Sequence, residues 1–405
     1  MVRLPVSVIL LGFTSLLTDA GSEMIFPLLP LFLTGTLGAS PAFLGLVEGA
    51  ADVVASLLKL VAGRLSDRLG ARKPLILAGY GLAGAVRPLV AFATAPWHVL
   101  LVRITDRVGK GVRGAPRDAL IADVTPEGLG SRAFGFHRAM DDAGAVVGPL
   151  IAAALLAAGM ELRSIFLLAS IPGVLALLTV ALVREPRPAV VAPTPTPTPT
   201  PTPNGAPISA PTGAQPPATP LPRVFWRLLV VFALFGLGNS SDAFLLLRAK
   251  GLGVPEAIIP ILWSFFHICK VIWAGVGGWL GDRVEKRYVI VGGWALYALS
   301  YLLFAFCTES WQVWLVFMLY GGFYGLGDPV QKALVRDLVP AGARGHAFGW
   351  YNLTTGVMAL PASFLIGAVW ERAGPVQAFS VGAALALAAS VALLGVLSIR
   401  PVSAR

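Results

Sequence analysis

Runs of about 20 apolar residues recur along nearly the whole of this 405-residue chain, and a helix of about 20 residues is what crosses a hydrocarbon core some 30 Å thick. Inside lipid every backbone N–H and C=O must be bonded, so only helices or a closed barrel can span. The polar residues inside these runs recur at helical rather than alternate spacing, which leaves helices. Charged residues make up 13% of the chain, against roughly 25% in soluble domains. The expectation is an all-α polytopic membrane protein.

We read twelve spans, at 5–34, 41–62, 74–95, 98–122, 133–158, 164–183, 224–247, 256–280, 288–307, 312–335, 346–370 and 376–399. The first is expected to stay as one long polar-striped helix and not to be a cleaved leader, because apolar character resumes after Glu23 and continues to Leu33. The net charge of +10 would invite a nucleic-acid reading in a soluble protein. Here Lys and Arg collect in alternate connections, as the positive-inside rule requires, so no nucleic-acid partner is expected. The same rule puts both termini in the cytoplasm, with the chain in the inner (plasma) membrane as a monomer. Cys269 and Cys307 fall in apolar runs and read as buried thiols.

The chain repeats itself. Ala119-Leu120-Ile121-Ala122-Asp123-Val124-Thr125-Pro126 returns as Ala333-Leu334-Val335-Arg336-Asp337-Leu338-Val339-Pro340, and Ala133-Phe134-Gly135 as Ala347-Phe348-Gly349, each 214 residues on. A constant offset over that distance implies two duplicated six-helix halves. We divide the chain into a first half (1–185), a linker (186–222) and a second half (223–405). The linker alternates Pro and Thr from 193 to 203, a composition that samples polyproline II and acts as a semi-rigid spacer. No ATP-binding G-x-x-x-x-G-K-[ST] loop occurs, so any transport should be secondary. No catalytic domain is expected either, and no cofactor.

Between the second and third spans stands Gly63-Arg64-Leu65-Ser66-Asp67-Arg68-Leu69-Gly70-Ala71-Arg72-Lys73, with a weaker copy at Gly278-Trp279-Leu280-Gly281-Asp282-Arg283-Val284-Glu285-Lys286-Arg287. The first copy resembles the loop between helices 2 and 3 of major facilitator superfamily transporters, G-x-L-a-D-r-x-G-r-k. Gly63, Asp67, Arg68, Gly70 and Arg72 match, while the second copy has Glu285 in place of the second Gly. The resemblance implies the major facilitator fold, twelve transmembrane helices in two pseudo-symmetric halves that work by alternating access. It also implies that Asp67 and its basic neighbours hold the cytoplasmic side closed in one state. Asp123 with Arg132, Asp337 with Arg344, and the second copy's Asp282 and Arg283 look like companion elements of this switch.

The fourth span holds Arg103, Asp106, Arg107, Lys110, Arg113, Arg117 and Asp118 within an arc of about 140° at 100° per residue. Charges facing lipid are costly, so the arc must face the interior or water. Arg103-x-x-Asp106-x-x-Gly109 is similar to the superfamily's fourth-helix motif, whose Arg is implicated in proton coupling; Asp106 and Arg107 depart from it. In the first span Asp19 and Glu23 share a face with Ser15, Thr18 and Ser22. Buried carboxylates suit groups that load and release protons, and acids here look like those of the superfamily's multidrug exporters. We expect either to pair with Arg103 or Arg107. Glu48 and Asp52 lie one turn apart on the second span, with Glu48 either interior or at the periplasmic surface.

The fifth span carries His137, Arg138, Asp141 and Asp142, then Gly144-x-x-x-Gly148-Pro149. That last run resembles the fifth-helix motif the superfamily associates with antiporters. Small residues permit close helix contact, and Pro149 removes a helix hydrogen bond. In the second half Asn239, Asp242, His267, Lys270, Tyr324 and Asn352 are candidate substrate ligands, with Lys270 an anion ligand or the partner of Asp242. The leading expectation is proton-coupled export of a small molecule, driven by the proton gradient, with Asp19, Glu23, Arg103, Asp106, Arg107, Asp141 and Asp142 as coupling residues. One alternative is an organic-anion carrier using Arg103, Arg107, Lys110 and Lys270. Another is a divalent-metal or metal-chelate exporter using Asp19, Glu23, His137, Asp141 and His267.

Overall fold

The structure is a computed structural model that describes residues 4–69, 72–126, 130–185, 221–281, 283–339 and 344–398. Twelve long helical rods run through the described residues. They are α1 (Val6–Thr36), α2 (Pro41–Leu69), α3 (Lys73–Phe92), α4 (Pro96–Val124), α5 (Gly130–Ala157) and α6 (Leu162–Leu182). A second set follows as α7 (Arg223–Gly251), α8 (Ile259–Gly281), α9 (Lys286–Phe306), α10 (Ser310–Leu338), α11 (Arg344–Ala373) and α12 (Pro375–Ser398). Nine contain a stretch long and apolar enough to cross a bilayer, and α8 holds a shorter one, Ile259–Ala274. The other two, α4 and α10, have 29 residues each, ample length at 1.5 Å per residue. What lowers their hydropathy is chemistry: the charged stripe in α4, glycines and aromatic rings in α10. This is a multi-pass membrane protein.

The two sets pack alike. In the first, α1 lies on α5 and α6, α2 on α4, and α3 on α4 and α6. In the second, α7 lies on α11 and α12, α8 on α10, and α9 on α10 and α12. The 214-residue repeat is visible in atomic detail. Gly79 of α3 abuts Gly109 and Arg113 of α4, and Gly293 of α9 abuts Leu326 and Gly327 of α10. The 186–222 linker lies almost wholly outside the described residues.

The bundles meet along α2 with α11 and along α5 with α8. Gly45 and Gly49 of α2 face the α11 backbone at Ser363 and Leu360, and Gly367 of α11 faces Pro41 and Ala42. These approaches lie in the half of the helices remote from the chain termini, so the bundles close at that end.

Several rods are interrupted. α1 passes into 3-10 and π turns where Pro27 and Pro30 remove backbone donors. α3 tightens into a 3-10 helix from Arg87, beside Pro88. α7 stops at Gly238 and restarts at Ala243. Across that gap the backbone is held from outside: Tyr297 of α9 donates to the Gly238 carbonyl at 2.7 Å, and the Ser241 N–H donates to Ser363 Oγ of α11 at 3.1 Å.

Candidate functional site

The charged stripe of α4 faces inward and is mostly paired. Arg103 grips Glu48 of α2 with two bonds, Nε to Oε1 at 3.1 Å and Nη2 to Oε2 at 2.7 Å, both side chains being buried. Glu48 is therefore interior. Asp106 accepts from Arg87 Nε of α3 at 2.7 Å, and Arg87 Nη1 donates to the Thr18 carbonyl of α1 at 2.9 Å. That single guanidinium ties three helices together next to Asp19. Arg113 lies over the Tyr80 ring at 4.4 Å. Arg107 stands 3.9 Å from Asp52, whose side chain is half exposed. Arg117 reaches Asp118 at 2.9 Å and Ser15 at 3.3 Å. Desolvating such groups costs several kcal/mol per ion unless the pairing geometry is good.

The expected pairing of Asp19 or Glu23 with Arg103 or Arg107 is not the one found. Those arginines are engaged by α2 carboxylates, because α2 crosses α4 at the level of Arg103 and Arg107. Asp106 likewise takes Arg87, which the sequence reading passed over. Its signal was an arginine before a proline inside an apolar run. Asp19 is half-buried and makes no hydrogen bond or ion pair among the described residues; Asp141, Lys110, Arg113 and Arg87 supply the field around it. Glu23 Oε2 accepts from Trp263 Nε1 of α8 at 2.8 Å, a bond that crosses between the bundles.

On α5, Gly144 and Gly148 lie against the α1 backbone at Leu16 and Ala20, where any side chain would collide. Pro149 sits inside the same helix. The Ser15 hydroxyl donates to Asp141, whose other oxygen is 3.7 Å from His137 Nδ1. Arg138 bonds Asp142 at 3.2 Å, one turn along. A second crossing link, Ser264 Oγ to the Val146 carbonyl, measures 2.9 Å.

In the second bundle Asp242 sits at the break in α7 and accepts from Tyr320 at 2.6 Å and Tyr324 at 2.9 Å. Its expected ion pair with Lys270 is not formed. The Lys270 ammonium instead stands 4.3 Å from the Tyr324 ring centre and 5.2 Å from that of Phe266, a favourable cation–π arrangement. His267 is buried edge-on to Trp263, ring centres 5.1 Å apart. Asn239 is half-buried at the α7 break, and Asn352 is exposed on α11. No three His, Cys, Asp or Glu residues among those described gather as a metal would require, so the five residues of the metal reading are not assembled.

Toward the chain termini, Arg72 pairs with Asp123 at 2.6 Å and Lys286 with Asp337 at 2.8 Å, the same bond 214 residues apart. Glu185 accepts the N–H groups of Arg72 at 2.5 Å and Lys73 at 3.1 Å, a cap on α3 that sequence reasoning missed. Arg283 is exposed. Gly63 lies within α2, while Gly70 and Asp282 and the side chains of Asp67, Arg68, Arg132 and Arg344 lie outside the described residues.

This architecture has close counterparts. The chain is 32% identical to an uncharacterized MFS-type transporter of Methanocaldococcus jannaschii, over 96% of this chain and 94% of that one. It is 27% identical to the class C tetracycline resistance protein of Escherichia coli, over 95% and 96%. Among solved structures it superposes on the nucleoside transporter NupG with a TM-score of 0.79 at 13% identity, covering 96% of this chain and 99% of that one. The family description "Major Facilitator Superfamily" matches residues 11–268 and 243–405. With its two like-packed bundles and an inward-facing charged centre, the chain belongs to the Major Facilitator Superfamily and is a membrane transporter.

Proposed function

We propose that this transporter exports a small molecule in exchange for protons, from a plasma membrane with both chain termini in the cytoplasm. The observation that carries this reading is a contrast among interior acids. Glu48 and Asp106 are locked to arginines at 2.7 Å, whereas Asp19 has no cation within bonding distance and Glu23 holds only an indole N–H. A carboxylate already neutralised by a guanidinium gains little from a proton; an unpaired one in a low-dielectric setting gains much. Asp19 and Glu23 are thus the proton carriers, and Arg103, Arg107 and Asp106 form the scaffold around them.

Ionised Glu23 accepts a charge-assisted bond from Trp263 and so holds the bundles together at the end remote from the termini. Neutralising it, by a proton or by a cationic group of the substrate, weakens that link and lets the bundles part there. The tetracycline resistance relative supports the outward direction. The organic-anion alternative loses force because Glu48 and Asp52 engage two of its four ligands, Arg103 and Arg107.

Proteoliposomes with an internal pH-sensitive dye test the reading. Lipophilic cations, organic anions and divalent metals are added in turn to an imposed proton gradient. One class should discharge it with the wild-type protein and not with Asp19→Asn. Equal discharge by the variant overturns the assignment of Asp19, and accumulation of anions without any gradient overturns antiport.

A further inference from the structure

Two ammonium groups stand at the centre without a carboxylate in bonding range. Lys110 of α4 is exposed on the inward stripe, one turn beyond Asp106, and makes no hydrogen bond or ion pair among the described residues. Lys270 of α8 is half-buried and rests only on the Tyr324 and Phe266 rings. Both act on the Glu23 carboxylate, Lys110 from its own bundle and Lys270 from the other. Asp19 supplies an equally unpartnered negative charge, and Lys110 is the first cation acting on it. So the place where the bundles meet offers one open acid, two open bases and a shelf of stacked rings, with Phe266 and Tyr320 stacked at 5.4 Å.

We propose that the substrate is an amphoteric compound with a flat unsaturated body, its cationic group against Asp19, its anionic group between Lys110 and Lys270, and its ring on the Phe266–Tyr324 shelf. A lone cation would leave both lysines without a counter-charge, and a lone anion would leave Asp19 without one; unpaired charge in such a site is costly. The proposal rests on the antiport reading and sharpens it through linkage. A cationic group takes the proton's place at Asp19, so the zwitterion and the proton exclude each other, which is antiport. A bare anion would bind better once Asp19 is protonated and would couple in the opposite sense.

Binding to the purified full chain in detergent tests it, with two ring systems each in three charge forms. The indole set is tryptamine, tryptophan and indole-3-propionate; the acridine set is 9-aminoacridine, 9-aminoacridine-4-carboxylate and acridine-4-carboxylate. In at least one set the zwitterion should bind about tenfold or more tighter than both relatives, the factor equal to about 1.4 kcal/mol. Lys110→Gln and Lys270→Gln should each erase the margin over the cation, with Lys110→Arg and Lys270→Arg restoring it. Asp19→Asn should erase the margin over the anion. A cation or an anion that matches the zwitterion in both sets, or no binding in either, overturns the proposal. Proton release into weak buffer is read in the same titration. Zwitterion preference without proton release retains this proposal and removes antiport; proton release on binding a bare cation, unaffected by the lysine variants, does the reverse.

Discussion

Positions 214 residues apart solve the same packing problem with different chemistry. Where α3 and α4 cross, Arg87 bonds Asp106; at the matching crossing of α9 and α10 stand Tyr301 and Tyr320, rings 6.1 Å apart. Arg103 corresponds to Phe317 and Lys110 to Tyr324. The second bundle fills its centre with rings and hydroxyls, including Trp294, Tyr297 and Phe304, all fully buried. The fold therefore needs filled volume and close helix approach at these sites, and it does not need ions. The ion pairs of the first bundle have another use. Arg87 fixes the α1 carbonyl beside Asp19, so a costly pair holds the proton site in place, while the aromatic bundle holds up the surface against which substrate rests.

The largest test of this contrast is to break one pair and then remove it. Arg87→Met should destabilise the protein by about 3–5 kcal/mol, since it strands a buried carboxylate, while Arg87→Met with Asp106→Leu should recover most of that loss. Thermal unfolding in detergent reads both. A double variant as weak as the single one would mean that the ions are required by the fold after all. Next comes the link between bundles. Trp263→Phe removes one bond to a charged acceptor, worth about 1.5–3 kcal/mol, and should populate the form open at the end remote from the termini by about tenfold or more. Distances between spin labels across the bundles at that end would report it, and an unchanged distribution would detach Glu23 from the coupling. The smallest effect is expected at Tyr320→Phe, about 1 kcal/mol, because Tyr324 continues to hold Asp242. A loss as large as that of Arg87→Met would erase the distinction between the bundles.

Much of this was legible in the chain. The spacing of apolar runs and the 214-residue repeat carried the helices and the two like bundles, and α4 could be read as a span only because its charges share one face. The acids of α1 and the small-residue run of α5 were also visible. Partners were not. Arg103 finding Glu48, and Asp106 finding Arg87, depend on where α2 and α3 cross α4, and helical periodicity carries the face of a helix but not its neighbour's height. Glu185 was missed for the same reason: a single acid after α6 acquires its role only when α3 begins beside it. Lys270 and Asp242 were both found as residues, yet their expected bond to each other gave way to tyrosines that sequence distance does not place nearby.

The gap in α7 has a mechanical meaning. A continuous helix resists bending because each degree of bend stretches hydrogen bonds in its own ladder. Between Gly238 and Ala243 that ladder is already absent, and Tyr297 and Ser363 occupy the backbone groups from neighbouring helices. The outer segment, Ala243–Gly251, is thus a lever on a pre-cut hinge whose pivot lies at Asp242. It can swing with the opening of that end while α9 and the inner part of α7 stay still, and no bond within the helix is broken in the swing.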